Sequence, residues 1–357
     1  MHNTLRKPNF GYGFAIASAV LFGASTPATK YLLGTIDSWL LAGILYLGSG
    51  LGLGLVLTIG HFIPKKIPQV TPFTQIDYIW LALATLFGGV IAPVLLMFGL
   101  AVMTAASVSL LLNFETVLTA LIAWLLLKEY TNGRLILGMV LIVAGGVILA
   151  WSEQSKIESI LGAAMVITAC LAWAVDNNIT RKISTANPLK IVAIKSLVAG
   201  STNVGLAFLL GAQLFNSWAP VLIGTIIGFV GYGLSILCFI LGLRHIGTGR
   251  TSAAFALAPF IGVIFSIFFL GDTLSSPLIL AGVLMFLGLL LHLTEHHAHE
   301  HRHESLLHQH QHVHDQHHQH PHQPEHAHGA SHSHLHQHTP LLHSHPHYPD
   351  IHHRHNH

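Results

Sequence analysis

The sequence predicts an all-α integral membrane protein: ten transmembrane helices arranged as two inverted five-helix repeats. Three observations predict it. Charge is scarce, ten apolar segments alternate with short breaker-rich connections, and the two halves repeat one residue pattern. Only 8% of the 357 residues are Asp, Glu, Lys or Arg, and 52% are hydrophobic. A soluble domain carries about 25% charged residues. Mean hydropathy is +0.60 even with a polar tail included. So little charge does not clothe a water-facing surface, whereas lipid covers an apolar one. The net charge of +2 gives no basis for nucleic-acid binding.

A helix needs about 20 mostly apolar residues to cross the hydrocarbon core. Ten segments qualify, at roughly 10–33, 38–60, 78–101, 105–127, 134–151, 159–180, 189–211, 218–243, 250–270 and 276–294. The first exceeds the apolar core of a signal peptide, about 7–15 residues, and reads as an uncleaved span. The connections carry Pro64, Pro68 and Pro72; Asn132-Gly133; Asn187-Pro188; Gly247 and Gly249; and Gly271 through Pro277.

Cations orient these spans. Arg6 and Lys7, Lys65 and Lys66, Lys128 and Arg134, Arg181, Lys182 and Lys190, then Arg244 and Arg250 mark every second end. The alternate connections hold only Lys156, beside Glu153 and Glu158. The positive-inside rule then places both termini in the cytosol of a plasma or inner cell membrane. Nine spans would break this alternation.

The two halves match. Phe22-Gly23-Ala24-Ser25-Thr26-Pro27-Ala28-Thr29-Lys30 parallels Trp173-Ala174-Val175-Asp176-Asn177-Asn178-Ile179-Thr180-Arg181. Gly99 through Glu129 parallels Gly242 through Asp272 without a gap. An odd number of spans per repeat inverts one half against the other. Inverted repeats are typical of secondary transporters, with the site between them near the midplane. The expected division is 1–151, 152–294 and a tail, 295–357.

The stretch Asn113-Phe114-Glu115-Thr116 through Leu127-Lys128-Glu129, with its second copy Ala258-Pro259 through Leu270-Gly271-Asp272, resembles the signature of the EamA family in the drug/metabolite transporter superfamily. The likeness covers about residues 10–294. Thr116, Lys128 and Asp272 depart from the Pro, Gly and Glu of the pattern. The resemblance implies that spans 1–4 and 6–9 surround a cavity, that spans 5 and 10 pack outside, and that small metabolites are exported by alternating access.

Ionisable residues at membrane depth are expensive and are functional candidates. Glu115 lies near the middle of the fourth span. It is either a substrate or proton site on the cavity wall or a helix-packing carboxyl. Asp176 and Asn177 lie near the cytosolic end of the sixth span, and Lys195 lies at similar depth in the seventh. They form either a charged substrate site or an ion pair burying two charges together. Ser25 and Thr26 occupy the matching patch of span one. Pro27 beside them either breaks that helix against a cavity or kinks it. Gly48, Gly50, Gly52 and Gly54 in span two, with Gly224 and Gly228 in span eight, read as close-packing faces. Trp124 and Trp173 fit either a cavity wall or bulk packing. Cys170 and Cys238 sit in apolar runs and make no disulfide framework.

From His296 onward the composition changes. Of the chain's 30 histidines, 26 fall in residues 296–357. The runs His308, His310, His312, His314 and His332, His334, His336, His338 alternate His with another residue. This stretch lacks apolar periodicity and reads as a disordered cytosolic tail. Imidazoles in a flexible chain suit Zn, Ni, Co or Cu ions, and also titrate near neutrality.

Three functions remain in view: a gradient-driven carrier of a small organic metabolite, a transition-metal carrier, and a non-transporting metal sensor or store. His61, His245 and His292 all fall at span ends, which leaves few metal ligands deep in the bilayer and favours the organic substrate. No metalloprotease helix, paired intramembrane aspartates or nucleophile elbow suggests an enzyme. Without a phosphate-binding glycine loop, protons or another coupling ion are the expected drive. No resident cofactor is expected.

Overall fold

A computed structural model describes residues 8–61, 75–127, 132–152, 156–180, 188–213, 217–293, 298–303, 307–312, 332–337 and 341–346. The chain divides into two units, Met1–Glu295 and His296–His357. Among its described residues, the first unit is built of helices and holds ten long and apolar enough to cross a membrane. Span one is α1 (Pro8–Leu32) and span two is α2 (Ser38–His61). Span three joins α3 (Gln75–Thr85) to α4 (Ala92–Val102) through a π-helical segment, Leu86–Ile91. Span four is α5 (Ala105–Leu111) and α6 (Phe114–Leu127). Then come α7 (Gly133–Ser152), α8 (Lys156–Thr180) and α9 (Pro188–Leu209) as spans five to seven. Span eight joins α10 (Trp218–Ile227) to α11 (Ser235–Ile246) through a second π segment, Gly228–Leu234. Span nine is α12 (Thr248–Phe255), α13 (Ala258–Phe265) and a π turn, Ser266–Leu270; α14 (Ser276–Leu293) is span ten.

The repeat seen in the sequence reappears as matching irregularities. Gly99 aligns with Gly242, so the two π segments occupy equivalent places in spans three and eight. The breaks after α5 and α12 are equivalent as well. In span nine Pro259 enters the new helix at its start. Span four has Thr116 instead of proline and still breaks. There the Asn113 side chain donates to the Leu110 carbonyl at 2.8 Å. The Glu115 and Thr116 amides reach back three residues, to Leu112 and Asn113.

Apolar helices gain little by leaving lipid for one another, so close approach of backbones must hold them. Span two shows how. Gly43 and Gly200 lie against each other's carbonyls where α2 crosses α9; added Cβ atoms would come within 3.1 and 3.0 Å of them. Gly48 lies on the Thr225 carbonyl, Gly50 on Leu197, Gly52 on the Phe229 ring and Gly228 on the Leu45 carbonyl. Gly54 has nothing near it, so the packing face stops one glycine short of the predicted row. α1 packs on α11, α12 and α13, while α8 packs on α3, α4 and α6. The first span of each repeat therefore lies in the other repeat, and the repeats form one unit. α7 and α14 pack on each other.

Pro27 does not break span one; α1 runs through it to Leu32. Its neighbours Ser25 and Thr26 are buried, and helical contacts on both sides support the continuous form.

In the second unit, Ala298–His303 pairs antiparallel with Leu341–Pro346, and Leu307–His312 with His332–Gln337. These are short extended ribbons, and a His-X-His alternation has the period of a strand. Two-stranded ribbons are marginal in water. His314 and His338 lie outside the described residues.

Gly48→Val should lower the thermal midpoint in detergent by overpacking against the Thr225 carbonyl, at about 1–3 kcal/mol. Gly54→Ala should leave it within about 0.5 kcal/mol of the parent. Equal midpoints for both variants would contradict the packing face.

Candidate functional site

The centre of the bundle is built on two backbone carbonyls of span three. In the π segment, the Ala92 amide bonds to the Phe87 carbonyl instead of to Gly88. Pro93 follows and has no N–H for the Gly89 carbonyl. Two adjacent carbonyls are thereby left without helical partners, and a dry interior supplies none. Side chains from three other spans take them. Tyr46 Oη donates to Gly88 O at 2.8 Å, and Trp173 Nε1 donates to the same oxygen at 2.9 Å. Asn203 Nδ2 donates to Gly89 O at 3.0 Å.

The charged residues gather beside this knot. Gly88 has no side chain because the Asp176 carboxylate fills that space. Lys195 Nζ donates to both Asp176 oxygens, at 2.5 and 2.7 Å, and the two side chains are only 14% and 10% exposed. Thr180 Oγ1 donates to Asp176 Oδ1 at 2.8 Å. The ion pair expected between spans six and seven is therefore formed. Asp176 lies four residues from the end of α8, as the sequence suggests, and it leans onto Gly88 in the middle of span three.

Asn177 Nδ2 donates to Glu115 Oε1 at 2.8 Å. Asn177 is exposed and Glu115 half-buried, so this end of the cluster is open. Glu115, Asn177, Asp176 and Lys195 thus form one polar surface drawn from spans four, six and seven.

Ser25 and Thr26 are not bonded to that surface. Ser25 donates to the Phe22 carbonyl at 2.6 Å and lies against Gly231 of the second π segment. The geometry repeats Asp176 against Gly88, with a hydroxyl in place of the carboxylate. Tyr232 and Tyr46 rings, 5.9 Å apart, link the two sides.

Tyr46, Gly88 and Asn203 were not among the sequence candidates. Their signal is present: Gly88-Gly89 followed by Pro93, with an asparagine in an apolar span. Trp173 proves to be a hydrogen-bond donor to the knot, whereas Trp124 is 37% exposed. Cys170 and Cys238 are free. No group of three metal-capable side chains occurs among the described residues.

Comparison with known proteins gives a consistent picture. A model described as the EamA-like transporter family matches residues 9–151 and again 160–294. An uncharacterized transporter of Methanothermobacter thermautotrophicus is 26% identical over 292 residues, spanning 78% of this chain and 84% of that protein. The uncharacterized transporter YyaM of Bacillus subtilis is 23% identical over 289 residues, spanning 78% and 92%. A crystal structure at 15% identity superposes with a TM-score of 0.57 over 80% of this chain and 94% of the other, a likeness of fold.

Removing one member of a buried pair strands the other charge, at about 3–5 kcal/mol. Asp176→Asn and Lys195→Met should each destabilise the protein more than the two together. Double-mutant thermal unfolding measures this, and additive losses would show that the pair is not coupled.

Proposed function

The chain belongs to the EamA-like transporter family, and from that membership we propose that it is a secondary carrier exporting a small organic metabolite. The repeats alternate access around Glu115, Asn177, Asp176 and Lys195, with both termini in the cytosol. One observation carries this reading: an ion pair, a carboxylate and an amide converge inside the helical unit beside the middle of span three, and charge at membrane depth is costly. Lys195 and Asp176 neutralise each other until a polar substrate competes for one of them. Glu115 is held by a single side-chain amide and has acceptor capacity left for a substrate donor or a proton. The Tyr46–Tyr232 wall offers apolar contact beside these charges. A proton or another ion gradient supplies the drive.

The histidine tail acts on this carrier as a metal-binding appendage for Zn, Ni, Co or Cu, through His308, His310, His312, His314, His332, His334, His336 and His338. The backbone register supports it: His308 stands opposite His336, His310 opposite His334 and His312 opposite His332.

The test is uptake of labelled amino acids and other small metabolites into proteoliposomes. Glu115→Gln should abolish or strongly slow uptake of whichever compound the parent carries; a parental rate would remove Glu115 from the mechanism. Cells expressing a chain ended at Glu295 should hold less tail-bound Zn, Ni, Co and Cu than cells with the full chain. If the full chain moves metal across the membrane beyond what the tail retains, a metal-carrier function replaces the metabolite reading. If neither is transported, a membrane sensor or store replaces it.

A further inference from the structure

We propose that Asp272 is a positioning residue for transport: it latches the second repeat onto the start of span four and seals that end of the bundle. Its role in transport rests on the carrier reading above, while its geometry is independent of any substrate.

Span nine ends in its π turn, and Gly271 follows at φ 73°, ψ 22°. That left-handed conformation suits glycine and reverses the chain. Asp272 is thereby turned back onto its own helix, where the Ser266 hydroxyl donates to Oδ2. The same oxygen accepts the Ala106 N–H at 2.9 Å. Ala106 lies in the first turn of α5, in the other repeat. A carboxylate is favourable at a helix start, where amides point outward unbonded. Thr104 takes the neighbouring amide, of Ser107, at 3.2 Å.

The same turn is held from its other side. Lys30, at the end of span one, donates to the carbonyls of Leu100, Ala101 and Met103 at 2.6, 3.1 and 3.0 Å. These are the last carbonyls of span three, where a cation belongs. Span three's end and span four's start thus meet charges of the complementary sign. Lys30 comes from the same repeat; Asp272 comes from the other one.

Below the latch the repeats are in contact. α5 packs on α13, and a Cβ on Gly262 would lie 2.6 Å from Ser109 Oγ. Gly23 of span one lies on the Ala258 carbonyl. What remains is a tight recess among Phe22, Thr26, Ser109, Leu112 and Ala258, too narrow to hold a water molecule. Past their breaks, spans four and nine turn to different neighbours: α6 packs on α8, and α12 on α1 and α11. The bundle is closed at the latch, and the half-buried Glu115 and exposed Asn177 lie past the breaks. For access to switch, α5 and α13 must part, and the Asp272–Ala106 bond joins the two pieces that part.

The test needs no substrate. In a Cys170→Ala, Cys238→Ala background, Leu112→Cys puts one thiol in the recess. A membrane-impermeant maleimide is applied from the side of the turn that carries Asp272, using vesicles of known orientation. The expected labelling is slow in this parent. Asp272→Asn accelerates it about tenfold, the loss of one charge-assisted hydrogen bond, and Asp272→Glu keeps it slow. Ser266→Ala removes only the hydroxyl that steadies the carboxylate and gives a partial acceleration of roughly threefold; it serves as the readout if Asp272→Asn does not fold. Parental labelling rates in the folded, monodisperse fraction of these variants would overturn the latch, whatever the yield. Faster labelling with no transported compound would uphold the latch and sink the carrier reading; transport with unchanged labelling would do the reverse.

Discussion

A carbonyl inside a bilayer has no water to bind, and span three leaves two of them free. That constraint organises the centre of the molecule. The π segment releases Gly88 O and Pro93 releases Gly89 O, so side chains from spans two, six and seven must come in to meet them. Those donors bring their own helices, and the convergence places Asp176 in the space that Gly88 leaves. Lys195 then follows because a carboxylate at that depth needs a cation. The charged site is a consequence of how one irregular helix is satisfied.

Inverted symmetry explains where the irregularities fall but not what they carry. Both repeats have a π segment in the third span and a break in the fourth. Both also seat a glycine against a polar residue of the other repeat's first span. Asp176 against Gly88 and Ser25 against Gly231 are the same contact with different chemistry. The charge is confined to one side. The span-four break survives the replacement of proline by Thr116 because Asn113 bonds locally to Leu110. The geometry is therefore kept by whichever residue satisfies the backbone, and Glu115 is free to differ from its counterpart Ala258.

This division sets what was legible in the sequence. Span number, boundaries and the inverted repeat could be read because they depend on length, hydropathy and residue order. The Asp176–Lys195 pair could be read because two opposite charges in adjacent spans have few other partners. Its contact with Gly88 could not, because which distant residue a helix leans onto depends on the fold. Pro93 announced a freed carbonyl, but which donors would reach it depends on the fold. Pro27 looked like the same signal and is accommodated within a continuous helix.

Site and seal are connected through the break in span four. α5 belongs, by packing, to the other repeat's α13, while α6 belongs to α8. Glu115 sits in the first turn of α6, directly past the joint. A shift of α5 is therefore felt first at Leu112, Asn113 and Phe114, and then at Glu115. The Asn177 contact to Glu115 is a single hydrogen bond on an exposed surface, weak beside the doubly bonded Asp176–Lys195 pair. When α5 moves, Glu115 is the member of the cluster with the least to hold it in place. On the carrier reading, Glu115 is the member of the cluster nearest the joint, so a shift of the seal reaches it without a long chain of intermediates.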